Sequence, residues 1–141
     1  YGPRQRPDMA MHRFLRGALT GGEITLYDDG EQTRDFTYVS DVVAANVAAA
    51  ERGDGGDVFN IGGGSRVSLN HVLATIEAIS SRPLRVKRDS RQKGDVRHTA
   101  ADCTQARKRL GFRPAVSLAE GLRREWEWIR EEDDGHQPRA A

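Results

Sequence analysis

Val58-Phe59-Asn60-Ile61, followed at once by Gly62-Gly63-Gly64, is a strongly apolar stretch ended by glycine. Four such residues read as a strand buried on both faces, the pattern of a central parallel strand. Helical spacing flanks the run on either side. Upstream, Ser40 or Asp41 caps an alanine-rich helix that reaches about Arg52 and stops at Gly53. Downstream, Ser68 caps a helix that keeps Leu69, Val72, Leu73, Ile76 and Ile79 on one face. Further out, Asp8 is placed to cap a helix carrying Met11, Phe14, Leu15, Ala18 and Leu19, ended by Gly21-Gly22. Ile24–Tyr27 reads as a short strand turned by Asp28-Asp29-Gly30, and Phe36, Tyr38 and Val39 as a second extended stretch. Pro83 precedes a strand at Leu84–Lys87, and a helix near Thr104–Leu110 is closed by Gly111. Ser117 and Glu120 form a capping box ahead of a last helix that buries Leu118, Leu122, Trp126 and Ile129. From Glu131 the chain is polar and is expected to fray.

This alternation of helices and strands is α/β, but it does not complete a doubly wound sheet. A central strand without parallel neighbours in its own chain is short of partners. With Tyr and not Met at position 1, the sequence reads as part of a larger protein. At 141 residues, 37% hydrophobic, 30% charged and with a net charge of +1, the chain has enough apolar material for a core. No stretch approaches the roughly 20 apolar residues of a membrane span, and bulk charge does not drive polyanion binding. The single Cys103 excludes a disulfide scaffold and reads as a small buried side chain. Four scattered histidines share no metal-ligand spacing, so no metal is expected. No signal peptide opens the sequence, and a cytoplasmic location is the expectation.

The glycine run lies where a dinucleotide loop could, between a strand and a helix. Counted from Gly62, however, the third position of G-x-G-x-x-G falls on Val67, and the helix starts late, at Ser68. A glycine-bounded strand end beside a ligand is the better reading. Arg34-Asp35-Phe36 taken alone is an arginine beside a carboxylate, ordinarily a surface pair. Residues 82 to 97 hold seven basic side chains against two acids, Asp89 and Asp95. A solvated loop is the ordinary account of such a run. Nucleic-acid binding normally adds stacking aromatics, which this segment lacks. A compact phosphate site needs one or two arginines and a carboxylate for a ribose hydroxyl, which Arg91 and Asp95 could supply.

Taken in order, Tyr1-Gly2-Pro3-Arg4-Gln5-Arg6-Pro7-Asp8, Ile24–Tyr27 with Gly30, Arg34-Asp35-Phe36-Thr37-Tyr38-Val39 with Asp41-Val42-Val43, Asn60-Ile61-Gly62, Gly94–His98, Ala101-Asp102 and Leu110-Gly111-Phe112 with Pro114 form a set. The set resembles the C-terminal half of the NAD-dependent epimerase/dehydratase family of nucleotide-sugar enzymes, which are extended short-chain dehydrogenases. The resemblance spans about residues 1 to 130, with 131 to 141 as a polar tail. It implies an α/β substrate-binding part, with the Val58–Ile61 strand and the Ala44–Ala50 helix belonging to a Rossmann domain that lies upstream. NAD and a Tyr-x-x-x-Lys catalytic pair would sit in that upstream half, so no catalytic residue is assigned here and the chain alone is expected to be inactive. Carried over by position, Arg34 corresponds to the clamp on the diphosphate. Thr25, Leu26 and Tyr27 correspond to the strand that meets the base, and Asp95 to the acid near the ribose. Gly2 and Pro3 correspond to the segment passing the nicotinamide. The usual arginine three residues before Asp95 is Gln92, which leaves Arg91 to take the role by a one-residue shift or leaves phosphate binding weaker. Asp28 stands where glycine usually follows Tyr27, so a different turn is expected. The implied reaction is 4-epimerisation of a nucleotide-diphosphate sugar through a transient 4-keto sugar. A dehydratase of the same family and a stand-alone nucleotide- or polyanion-binding module are the alternatives. A helix face and strand edge left uncovered imply self-association, as a homodimer or swapped oligomer.

Overall fold

The computed structural model describes residues 1–90, 94 and 96–136. Its elements, in chain order, are α1 (Ala10–Thr20), β1 (Glu23–Tyr27), β2 (Thr33–Asp35), α2 (Val39–Arg52), β3 (Arg66–Ser68), α3 (Leu69–Ser80), β4 (Arg85–Asp89), α4 (Thr104–Leu110) and α5 (Leu118–His136). β1 and β4 pair in parallel, from Glu23 opposite Arg85 to Tyr27 opposite Asp89. β2 and β3 pair antiparallel, with Arg34 opposite Val67.

Two apolar clusters hold these pieces. In the larger, α1, α3 and α5 pack on the inner face of β1. Met11, Phe14 and Leu15 meet Ile24, Leu26, Val72, Ile76, Leu122, Trp126 and Ile129 there. β1 alternates as a half-buried strand should, with Ile24 and Leu26 inward. The smaller cluster joins α2 to α4 through Ala45, Cys103, Ala106, Leu110 and Phe112.

The helix stops match the sequence signals. Gly21 and Gly111 take left-handed backbone just past α1 and α4, where a residue without a Cβ is least strained. Ser68 accepts the His71 N–H, and Ser117 the Glu120 N–H, both at 3.3 Å. Glu120 does not complete the capping box, because its carboxylate takes Arg123 and Arg124 instead.

Several expectations are corrected. Val58–Ile61 forms no strand. Val58 is 77% exposed, while Phe59 and Ile61 pack against the smaller cluster. A strand needs a neighbour to take its N–H and C=O groups, and both sheets among the described residues lie elsewhere. The glycines after this run serve a close backbone approach: Gly63 N–H donates to Asp35 at 2.7 Å, and a Cβ on Gly63 would collide with the Phe36 carbonyl. Asp8 does not cap α1, whose N-cap is Met9; its carboxylate pairs with Arg6 at 3.3 Å. Neither Ser40 nor Asp41 caps α2, which begins after Tyr38. The second extended stretch falls on Thr33–Asp35, earlier than Phe36–Val39, and Val39 is already helical. The strand after Pro83 runs Arg85–Asp89. The final helix does not fray at Glu131 but continues to His136, and Asp133 pairs with Arg16 at 2.7 Å.

Candidate binding site

β1 and the hairpin-like approach of β2 bring Thr25, Leu26, Tyr27 and Arg34 to the wall of one cavity of about 170 Å³. The same wall takes Phe14 and Arg13 from α1, with Asp8 and Ala10 at its start, and Gln32 and Leu69. Among the described residues β1 has a ladder only with β4, on one of its two edges. The Arg34 guanidinium is oriented by backbone: its Nη1 donates to Thr33 O at 2.9 Å and to Arg97 O at 3.3 Å. Arg97 is brought there because residues 97–99 run beside β2, through Thr33 N–H to Arg97 O at 2.9 Å and Thr99 N–H to Thr33 O at 3.2 Å. A guanidinium fixed by backbone carbonyls on a cavity wall is a directional cation, which suits an anion such as a diphosphate.

The turn after β1 is built from charges. Asp28 itself takes the left-handed conformation (φ 62°) that a glycine would occupy at little cost. Arg97 bridges Asp28 at 3.6 Å and Asp29 at 2.7 Å, and this hydrogen bond holds the Asp29 carboxyl below its usual range. Arg88 donates to Asp29 O at 2.6 Å, and Arg82 to Leu19 O at 2.5 Å. Arg82, Arg88 and Arg97 are thus engaged with groups of this chain, and Arg97 is paired with two carboxylates. Arg91, Gln92 and Asp95 lie outside the described residues.

Gly2 and Pro3 are on a separate cavity of about 250 Å³, with Tyr1, Thr37, Val39 and Val42. Gly2 is buried at φ 139°, and a Cβ there would meet Val39 Cγ1 at 2.7 Å and the Tyr38 ring at 3.1 Å. Close by is Glu125, fully buried, whose two carboxylate oxygens have no hydrogen-bond partner among the described residues. Burial pushes its carboxyl up to about 7, although the nearby Gly2 N–H favours the charged form. Burial also raises the Tyr1 phenol, with Glu125 adding to the effect. A larger cavity, about 350 Å³, lies between α1 and α5 at His12, Arg16, Trp128 and Asp133. It gathers none of the candidate binding residues, and its Arg16 is already paired with Asp133.

The run from Arg34-Asp35 to Tyr38–Asp41 also has a structural role. Asp35 accepts Gly63 N–H and Ala101 N–H, and Asp41 accepts Ala115 N–H and Val116 N–H, each of the latter at 3.2 Å. Arg13 and Gln32 were missed by the sequence reading. Arg13 precedes the inward Phe14 on a helix that packs on β1, and that adjacency is the signal that could have found it. Gln32 gives no such signal, because its role depends on a contact with Tyr27 across a turn.

Residues 1–62 match the model of the NAD dependent epimerase/dehydratase family. The matched stretch contains Gly2, Pro3, Thr25, Leu26, Tyr27 and Arg34. An uncharacterized UDP-glucose epimerase of Bacillus subtilis is 41% identical, over 89% of this chain and 40% of the relative. A dTDP-glucose 4,6-dehydratase of Streptomyces griseus is 35% identical, over 98% of this chain and 42% of the relative. The solved UDP-glucuronic acid 4-epimerase of Bacillus cereus, in complex with UDP-glucuronic acid and NAD, superposes with a TM-score of 0.89 at 39% identity. That likeness covers 94% of this chain and 43% of the solved one. The chain thus spans about two fifths of the length of the epimerase/dehydratase relatives it matches.

Proposed function

We propose that this chain is the C-terminal, nucleotide-sugar-binding portion of an NAD-dependent nucleotide-sugar epimerase of the UDP-glucose 4-epimerase type. The observation that carries the reading is the convergence of Thr25, Leu26, Tyr27 and Arg34 on one cavity. The apolar wall of Phe14, Leu26 and Leu69 receives the base, and Arg34, with Arg13 at the rim, holds the diphosphate. Anchoring at the phosphates leaves the sugar free to present either face, as an epimerisation through a 4-keto sugar requires. Arg91 and Asp95 complete the grip on phosphate and ribose in this reading.

The apolar cavity beside Gly2 and Pro3 fits one edge of a nicotinamide ring, and those residues with Thr37 and Val42 would line it. When bound, NAD would supply the acceptor and donor of hydride. What this chain would contribute there is a close backbone wall, since Gly2 has no room for a side chain. The remaining three fifths of the relatives' length would carry the proton-transfer pair. Those parts would also cover Val39, Val43 and Val47, which form an exposed stripe one turn apart on α2.

The test is calorimetric titration of UDP into the chain and its Arg34→Ala variant. Tenfold or greater weakening is expected, and equal affinities would remove Arg34 from the site. RNA bound tightly and salt-sensitively, with no binding of UDP, would favour a polyanion module instead.

A further inference from the structure

We propose that Gln32 reads the base, its side-chain carbonyl accepting the ring N–H of uracil or thymine and rejecting cytosine. This rests on the nucleotide reading of the same cavity and deepens it. Gln32 is 4% exposed and belongs to the cavity wall. Its Nε2 donates to the Tyr27 carbonyl at 2.7 Å, which fixes which end of the amide faces which way. The Oε1 is then a buried acceptor without a partner among the described residues. Buried carbonyls are nearly always satisfied, so an orphan on the wall of an apolar cavity marks the place of a missing donor.

The surroundings say which donor. Phe14, Leu26 and Leu69 supply apolar surface for a ring, and the cationic side chains of Arg13 and Arg34 lie on the same wall. The Tyr27 carbonyl is already taken by Gln32 itself, and Asp8, another acceptor on the wall, is exposed and pairs with Arg6. A ring imide N–H satisfies the orphan. The N3 lone pair of cytosine would face it acceptor to acceptor, leaving both unpaired. Because a site built around a buried hydrogen bond penalises a ligand that lacks the donor, discrimination should be large.

The experiment compares UDP with N3-methyl-UDP, in which the donor is replaced by a methyl group, on the unsubstituted chain and on Gln32→Met. Expected is a tenfold or greater preference for UDP in the parent that shrinks to about twofold in the variant. Without any substitution, the Gln32 side-chain amide resonances should move on adding UDP and not on adding N3-methyl-UDP. Equal binding of the two ligands by the parent overturns the role of Gln32 while leaving the nucleotide site intact. So does a preference that survives Gln32→Met, or a Gln32 amide that ignores UDP. Failure of the parent to bind UDP at all overturns the nucleotide reading and this inference with it.

Discussion

Glu125 offers the sharpest physical test of the fold. Its carboxyl is buried without a hydrogen-bond partner among the described residues and is pushed from an ordinary 4.5 to about 7. The folded chain therefore holds a proton that the unfolded chain gives up above pH 4.5. Stability from this group is fully present below that point and is lost as pH rises through 7. One pH unit over which only the folded state stays protonated is worth about 1.4 kcal/mol, so from pH 5 to pH 8 the loss comes to about 2.5 kcal/mol. Glu125→Gln keeps the shape and cannot ionise. The two proteins should differ by less than about 1 kcal/mol at pH 5, and the variant should be more stable by about 3 kcal/mol at pH 8. Urea unfolding followed by fluorescence measures this well, because Trp126 is the next residue and is buried in the same helix. Parallel stability–pH profiles for the two proteins would refute the reasoning. So would a variant that loses stability as the pH rises.

Other outcomes follow from single contacts. Gly2→Ala should cost about 1–3 kcal/mol, since the new methyl would meet Val39 and Tyr38; chemical denaturation measures it, and a neutral result would mean that this segment is not held as described. Asp41→Ala strands the N–H groups of Ala115 and Val116, and a loss of at least about 2 kcal/mol is expected by the same method. Val43 and Val47 are 54% and 52% exposed, so changing both to Lys should leave the unfolding midpoint of the chain within about 0.5 kcal/mol of the parent. In light scattering the parent should be larger than a monomer and the double variant smaller, whereas a monomeric parent at high concentration would count against self-association through this face.

Much of the helical framework was legible because its signals are local. Gly21, Gly111, Ser68 and Ser117 act within one turn of the residues they terminate or cap. The inward faces of α1, α3 and α5 follow from spacing alone. What failed was decided by distant partners. Asp8 and Asp41 both look like caps, but one carboxylate goes to Arg6 and the other to backbone 74 and 75 residues away. Val58–Ile61 has strand composition, yet pairing is a property of neighbours and not of the segment. At the site, Arg34 and the β1 residues were legible through the resemblance. Gln32 was not, because an orphaned acceptor exists only once the Tyr27 carbonyl has claimed the other end of its amide.

The division into two apolar clusters gives the molecule two independent reporters of motion. Cys103 is the only thiol and is sealed inside the smaller cluster, which is made largely of alanine-sized side chains. Such a unit buries little surface and should open more often than the helices around Trp126. The alkylation rate of Cys103 under native conditions would then count openings at α2 and α4 alone, with indole emission still reading a closed interior.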